Sequence, residues 1–232
     1  MVVGVRAVLF DAVRTLIHAD PLAADVYADV GRRFGSALTS AEIAHRFKVA
    51  VAHEDEIDRE RGFRTSEERE LERWRRIVSD VLTGVSDRDA CFRDLFHHFS
   101  QPAAWRLDDQ AGAVIAELAR RGLRLGIASN YDRRLRGVVA GLPALRPIQH
   151  IVISSEVGWR KPARQFYNSV CDALDSSPGH ILHIGDDLAN DYEAALAAGL
   201  RAVLFKPRGI DSSSMACISE LSELPGLIRH GR

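Results

Sequence analysis

Cysteine is scarce in this sequence, and its few cysteines form no pattern associated with metal binding or redox chemistry. Only three occur in 232 residues, Cys91, Cys171 and Cys217, and no CxxC pair is present that could bind zinc or exchange disulfides. An odd number of widely spaced cysteines also argues against a disulfide framework. We therefore expect reduced thiols in a cytoplasmic protein.

Long apolar runs and an excess of one charge are also missing. No stretch approaches the roughly 20 apolar residues that a membrane-spanning helix needs, and the short N-terminal apolar run does not resemble a secretory signal. Lys and Arg total 31 against 32 Asp and Glu, so the summed charge gives no reason to expect nucleic acid as a partner. We expect neither membrane nor nucleic acid as a partner, so any anion must bind at a local site.

The sequence does contain an alternation of short apolar strands and helical segments. The first apolar run ends at Phe10, and after Trp105 the runs LRLGIAS, HIVIS, HILHIG and RAVLF alternate with helical patterns. This alternation predicts an α/β fold with a Rossmann-like parallel sheet and right-handed crossovers. Between about residues 21 and 100 apolar residues recur at helical spacing, which predicts an inserted helical domain. The predicted domains are residues 1–18 plus 104–232 and residues 19–103. No GxGxxG follows the first strand, which argues against a nucleotide-dependent dehydrogenase.

Inside the predicted helical domain, the segment from Asp55 to Arg76 is dense in both charge signs. This pattern predicts two solvated helix faces joined at Gly62, and the alternative is that some of the arginines face a substrate. Thr39 with Glu42, and Thr65 with Glu68, have the spacing of capping boxes that begin helices.

Chemically useful side chains follow the predicted strands, where the carboxyl ends of a parallel sheet converge. These residues are Asp11, Ser129, Asn130, Lys161, Asp186, Asp187 and Asp191. A carboxylate can attack phosphorus, and further carboxylates can hold Mg²⁺ through oxygen. A metal, a lysine and a hydroxyl can together neutralise phosphoryl oxygens. The sequence therefore predicts a site for phosphoryl transfer.

The order DxxxTL, SN, KP and GDDxxxD resembles the four motifs of the haloacid dehalogenase-like hydrolase superfamily. The resemblance covers nearly the whole chain, and the helical insertion after the first motif is similar to the helical cap of the superfamily's first subfamily. The stretches SNYDRRL and SSEVGWRKP further resemble the branch called haloacid dehalogenase-like hydrolase domain-containing protein 3. The resemblance implies a hydrolase that uses Mg²⁺ to act on a small phosphorylated molecule, as a monomer or a homodimer.

The resemblance also implies roles for individual residues. Asp11 is the implied nucleophile, Lys161 is its catalytic partner, and Ser129 binds the phosphoryl group together with Asn130. The implied metal ligands are Asp11, the backbone carbonyl of Val13, Asp186 and Asp191. The spacing leaves open which of Asp186, Asp187 and Asp191 touches the metal. Arg14 is a candidate substrate contact, with a solvent-exposed position as the alternative.

One departure from the superfamily pattern concerns the proton that the leaving group needs. Phosphatases of this superfamily usually carry an aspartate and then a glycine where this chain has Val13 and Arg14. Proton transfer from such an acid typically contributes about 10²–10⁴ in rate. Three explanations stay open: substrates with good leaving groups, a proton donor from the helical domain, or a protein that binds phosphate without turnover. Candidate donors in or before that domain are His18, His45, His53, Glu54 and Asp55.

Haloacid dehalogenation is a further alternative, because an aspartate can also displace halide without a metal or a leaving-group acid. The acidic GDDLAND segment argues against this reaction. Three carboxylates around a developing anion are costly unless a cation balances them.

Overall fold

The structure is a computed structural model that describes residues 2–206 and 215–229 of the chain. The strands are β1 (Val2–Val3), β2 (Ala7–Phe10), β3 (Ile17–Ala19), β4 (Trp105–Leu107), β5 (Arg124–Ser129), β6 (His150–Ile153), β7 (Ile181–Gly185), β8 (Arg201–Phe205), β9 (Cys217–Ile218) and β10 (Ile228–Arg229). The helices are α1 (Ala23–Arg33), α2 (Ser40–Glu60), α3 (Glu67–Val81), α4 (Arg88–His98), α5 (Ala111–Arg120), α6 (Arg134–Ala140), α7 (Ser154–Val157), α8 (Arg164–Ala173), α9 (Ala194–Ala197) and α10 (Leu224–Leu227).

A six-stranded sheet forms the centre of the fold, in the order β6-β5-β2-β7-β8-β9. Every neighbouring pair in this sheet is parallel. Strand β2 is buried along its whole length, which explains why its sequence AVLF is continuously apolar rather than alternating. The predicted α/β fold with a parallel Rossmann-like sheet is confirmed.

Helices cover both faces of this sheet. One apolar core joins β2 and β5 to α5 and α6, and a second lies on the opposite face against α8 and α9. Strand β2, for example, sends Val8 and Phe10 into the first core and Ala7 and Leu9 into the second. The carboxyl ends of β2, β5 and β7 are left to meet at one edge, which is where a ligand site forms in such sheets.

Helices α1 to α4 lie between β3 and β4 and form a third apolar core of their own. We call this group the helical insertion. Helix α2 begins with a complete capping box between Thr39 and Glu42, as predicted. The predicted box at Thr65 is wrong: Ser66 caps α3 by accepting from the Arg69 amide, while the Thr65 hydroxyl donates to Glu70.

The charged segment between Asp55 and Arg76 is not simply solvated, and that prediction is wrong. Two pairs of charged residues spaced four apart, on α2 and on α3, face each other and are buried, together with Glu70. The buried set is Glu54, Asp58, Arg69, Glu70 and Arg73. Arg69 Nη2 lies 2.6 Å from Glu54 Oε2, and Arg73 Nη1 lies 2.5 Å from Asp58 Oδ2. Each buried charge is thus matched by a nearby opposite charge, which burial requires.

The boundaries at residues 1–18 plus 104–232 and 19–103 stay a prediction. Residues 1, 207–214 and 230–232 of the first predicted domain lie outside the described residues. Among the helices that the structure describes, none has the length and apolar character required to cross a membrane.

Candidate functional site

A buried lysine joins the carboxyl ends of the central strands. Lys161 Nζ lies 2.7 Å from Asp11 Oδ1 and 2.5 Å from Asp191 Oδ1, and it donates to the carbonyl of Ala128 at 3.1 Å. Only 3% of the lysine side chain is exposed. Asp11 directly follows β2, and its amide donates to Ile184 on β7. The sheet therefore brings together three residues that are 30 or more positions apart in sequence.

Burial and charge act in opposite directions on this group. Burial raises the pKa of Asp11 to about 7, and Asp191 reinforces that effect while Lys161 opposes it. Burial disfavours the charged form of Lys161, but Asp11 and Asp191 more than compensate and raise its pKa. Burial also opposes ionisation of Asp191, yet Lys161 and a hydrogen bond with His183 hold its pKa below the ordinary value. The lysine is thus a fixed cation, and of its two carboxylate partners Asp11 is the one whose charge is less compensated.

Three carboxylates of this edge, Asp11, Asp186 and Asp191, could hold a metal ion, because one ligand oxygen from each lies within 4.8 Å of the others. Burial raises the pKa of Asp186, with Arg14 acting against it. Oxygen ligands suit a hard cation such as Mg²⁺, and a cation would relieve the crowding of negative charge. The residues present therefore fit a divalent metal.

The three acids of the GDDLAND segment have different surroundings in the structure. Their spacing in the sequence did not distinguish them. Both oxygens of Asp191 already accept from the protein: Oδ1 from Lys161 and His183, and Oδ2 from the amide of Asp187. Asp187 caps the following helical turn by accepting from the Ala189 and Asn190 amides. Asp186 is the half-buried acid of the three, with Arg14 as its salt-bridge partner.

Two features that hold Asp191 in place were not predicted. His183 lies in the buried strand β7, and its Nε2 is 3.1 Å from Asp191 Oδ1. In the sequence His183 stands within an apolar run, and no sequence pattern marks it as a site residue. Gly185 ends the same strand, and a Cβ at that position would overlap the Asp191 carboxylate. Glycine is therefore required for the acid to approach the backbone this closely.

Val13 and Arg14 occupy the turn after Asp11. Arg14 has a φ of 71°, a left-handed conformation that favours glycine, and it is the residue that replaces the superfamily's usual glycine. Its Nε lies 3.1 Å from Asp186 Oδ2, although 78% of its side chain is exposed. Val13 forms an isolated bridge with Ile17. Arg14 thus faces the acidic group rather than pointing only into solvent.

Ser129 is the last residue of β5, and Asn130 follows it beside the lysine. Ser129 is buried. The Asn130 side chain donates to the Lys161 carbonyl at 2.9 Å and accepts from the Lys161 amide at 2.7 Å. Asn130 thereby fixes the backbone that carries the lysine, a role that sequence reasoning did not identify.

A cavity of about 500 Å³ lies between the helical insertion and the edge of the sheet. Val13, Arg14 and Asn130 line it on the sheet side. Eight Phe, Trp and Tyr residues also line it, among them Phe92 and Phe96. We call the other six the aromatic wall: Tyr27, Phe47, Trp74, Phe99, Trp105 and Tyr131. The candidate site therefore opens onto a large and mainly apolar space.

The structure divides the candidate proton donors into two groups. His18 and Asp55 line the cavity, whereas His45 and His53 are exposed and Glu54 is buried in the ion pairs of the insertion. Burial lowers the pKa of His18, with Arg106 adding to that effect. A neutral histidine is a weaker acid catalyst for a leaving group than a protonated one. Asp55 is engaged by Arg73 at 2.6 Å.

A parallel α/β sheet that gathers an aspartate, a buried lysine and two further carboxylates at its carboxyl edge defines a hydrolase with a carboxylate as its candidate nucleophile. The chain belongs to the haloacid dehalogenase-like hydrolases, whose family model matches residues 5–199. The resemblance drawn from the four motifs is confirmed.

Individual relatives cover most of the chain. Haloacid dehalogenase-like hydrolase domain-containing protein 3 from Danio rerio is 25% identical and covers 99% of this chain and 99% of its own length. N-acylneuraminate-9-phosphatase from Rattus norvegicus is 26% identical over 67% of this chain and 66% of its own length. The structure of L-2-haloacid dehalogenase from Xanthobacter autotrophicus is similar with a TM-score of 0.76, at 17% identity, and covers 96% of this chain and 98% of the other. That structural likeness concerns the fold.

Proposed function

We propose that this chain is a Mg²⁺-dependent phosphatase that hydrolyses a small phosphorylated molecule through an aspartyl-phosphate on Asp11. The observation that carries the proposal is the contact of Lys161 Nζ with both Asp11 and Asp191 at the carboxyl edge of the sheet. Perturbed carboxylates around a buried cation, beside a cavity, are typical of catalytic sites. The phosphatase among the relatives supports the choice of a phosphorylated substrate.

In this proposal the Asp11 carboxylate attacks phosphorus, and the bond from phosphorus to the leaving oxygen breaks. Lys161 neutralises part of the charge on the nucleophile and the phosphoryl oxygens, and Ser129 donates to one of those oxygens. Asn130 acts by holding the Lys161 backbone. Water then attacks the aspartyl-phosphate, which releases inorganic phosphate and regenerates Asp11.

Mg²⁺, when bound by Asp11, Asp186 and the Val13 carbonyl, supplies positive charge for the phosphoryl oxygens. Asp191 holds Lys161 in place rather than binding the metal, because both of its oxygens already accept hydrogen bonds from Lys161, His183 and the Asp187 amide. Arg14, which pairs with Asp186 and lines the cavity, is a candidate contact for the substrate. The helical insertion acts as a cap over the cavity. We place this enzyme in the cytoplasm, as a monomer or a homodimer.

The experiment that tests the proposal measures hydrolysis of p-nitrophenyl phosphate and acetyl phosphate by the purified protein, with and without Mg²⁺. Both compounds have good leaving groups, so neither depends on an acid at position 13. We expect turnover that needs Mg²⁺ and that the Asp11→Asn variant lacks. Absence of turnover with both compounds would favour a phosphate-binding protein without catalysis.

Dehalogenation is the less favoured alternative. Halide leaves as an anion, and the site offers it three clustered carboxylates, Asp11, Asp186 and Asp191. Release of chloride from 2-chloropropionate without Mg²⁺ would overturn the phosphatase assignment.

A further inference from the structure

The aromatic wall forms an uninterrupted path of ring contacts from the helical insertion to the loop that follows β5. Ring centroids are 6.4 Å apart for Phe47 and Trp74, 5.5 Å for Tyr27 and Phe47, and 6.2 Å for Tyr27 and Phe99. The path continues through Trp105 to Tyr131, with centroids 5.8 Å and 6.3 Å apart. Tyr131 follows Ser129 by two residues, so the wall ends beside the proposed phosphoryl site.

Several members of the wall are only partly covered by other protein atoms. Phe47, Trp74, Phe99 and Trp105 are half-buried, and all four line the cavity. Aromatic faces left open inside a cavity gain free energy when an apolar group covers them, and they prefer another ring in an offset or edge-on arrangement.

The charged residues that also line the cavity already have partners within the protein. Arg73 lies 2.6 Å from Asp55, Arg134 lies 2.7 Å from Asp132, and Arg160 pairs with Glu70. A highly polar substrate would have to replace these internal pairs or leave its own buried polar groups without partners, which weakens binding. The inner part of the cavity thus favours an apolar group.

The turn after Asp11 gives an independent reason to expect a particular leaving group. Val13 cannot donate a proton to the departing oxygen. A phenol has a pKa near that of tyrosine, about 10, whereas an alkyl alcohol is close to water, at roughly 16. An aryloxide therefore departs without an acid far more readily than an alkoxide does.

We propose that the cavity holds the organic part of the substrate and that the substrate is a phosphate monoester of an apolar phenol. This inference rests on the phosphatase function proposed above. Asp11 oxygen bonds to phosphorus, the bond from phosphorus to the aryl oxygen breaks, and the aryloxide leaves with the electron pair and takes a proton from water. Water then cleaves the aspartyl-phosphate, so aryl phosphate and water yield phenol and inorganic phosphate.

The first test compares three phosphate esters with the wild-type protein and Mg²⁺: 1-naphthyl phosphate, 2-(1-naphthyl)ethyl phosphate and glucose 6-phosphate. The first has an apolar ring and a good leaving group, the second keeps the ring with a poor leaving group, and the third lacks both. We expect kcat/KM for 1-naphthyl phosphate to exceed that for glucose 6-phosphate by about 100-fold or more, from the leaving group alone. Equal values would overturn the inference.

The second test measures binding without turnover. The Asp11→Asn variant is titrated with the same esters by calorimetry in the presence of Mg²⁺. We expect both naphthyl esters to bind at least tenfold more tightly than glucose 6-phosphate, because binding depends on the ring and not on the leaving group. If glucose 6-phosphate binds as tightly as the naphthyl esters, the cavity does not select an apolar group and the inference is wrong.

Two substitutions on helix α2 test whether the aromatic wall is responsible for that binding. Phe47→Ala, combined with Asp11→Asn, removes one ring of the wall, and we expect about tenfold weaker binding of 1-naphthyl phosphate. Val49→Ala in the same background is the matched control, because Val49 is 58% exposed and lies outside the cavity. Equal effects of the two substitutions would contradict the assignment of the wall.

The outcomes separate this inference from the proposed function. If neither p-nitrophenyl phosphate nor acetyl phosphate is hydrolysed but 1-naphthyl phosphate binds selectively, the phosphatase proposal fails and the aromatic specificity of the cavity stands. If acetyl phosphate is hydrolysed in an Asp11-dependent way but the naphthyl esters show no preference, the aryl phosphate inference fails alone.

Discussion

Replacing Glu70 by glutamine tests the buried ion pairs that join helix α3 to the segment carrying Lys161. Glu70 accepts from Arg160 and from the Thr65 hydroxyl, and both members of the Glu70–Arg160 pair are buried. Removing one partner of a buried pair typically costs about 3–5 kcal/mol, because the other charge is left uncompensated. Arg160 keeps a second carboxylate, Asp58, 3.3 Å from its Nε. We therefore expect a loss at the lower end of that range, about 3 kcal/mol.

The free energy of unfolding is measured by urea denaturation with linear extrapolation, using two spectroscopic probes to check that a single transition is followed. Glu72→Gln is the control: Glu72 lies on the same helix, is 46% exposed and pairs with Arg76, while its buried partner, Arg69, lies at 3.9 Å and keeps Glu54 and Asp58. An exposed pair contributes about 0–1 kcal/mol, so this variant should lose little stability. If Glu70→Gln loses no more stability than Glu72→Gln, the buried pair contributes no more to the fold than an exposed pair does.

Three further predictions concern residues at the carboxyl edge of the sheet. Val13→Asp restores a proton donor, so kcat for an alkyl phosphate should rise about 10²–10⁴-fold while p-nitrophenyl phosphate gains less; equal gains would contradict the missing-acid explanation. Asn130→Ala removes both hydrogen bonds to the Lys161 backbone, and kcat/KM for acetyl phosphate should fall at least about tenfold, since one lost hydrogen bond is worth about 1 kcal/mol; an unchanged value would refute the positioning role. Asp11 attacks only when ionised and its pKa is about 7, so at low Mg²⁺ activity should fall as pH drops below 7. Mg²⁺ favours the ionised carboxylate, so pH–rate profiles at higher Mg²⁺ should show this limb at lower pH, and an unshifted limb would argue against Asp11 as a ligand.

The strand alternation and the position of the site were predictable because both follow from local patterns. A strand buried on both faces must be continuously apolar, as AVLF in β2 is, and the residues that follow such strands meet at one edge of a parallel sheet. Asp11 could therefore be placed at that edge, and the resemblance to the superfamily placed Lys161 beside it before their contact was known. Their separation of 150 residues is closed by topology, which the alternation itself predicts.

The roles of His183, Asn130 and the buried charges could not be predicted, because each depends on which elements pack together. His183 is one residue of an apolar strand, and only the turn that returns Asp191 to that strand makes it a hydrogen-bond partner. Arg69 and Arg73 look like surface residues in a charged helix. They are buried because α2 presents Glu54 and Asp58 at the same spacing of four residues. The order of charged residues along the sequence is the same whether a partner helix or water faces them.

The helical insertion and the segment that carries Lys161 are joined through backbone hydrogen bonds. The Arg160 amide donates to the Phe63 carbonyl at 2.9 Å, and the Thr65 amide donates to the Gly158 carbonyl at 3.1 Å. Between them, the Arg64 guanidinium stacks on Trp159, with Cζ 5.0 Å from the ring centroid. Separating these segments would break both hydrogen bonds and expose the Glu70–Arg160 pair, next to Lys161. The insertion therefore helps to hold the segment that carries Lys161 at the edge of the sheet.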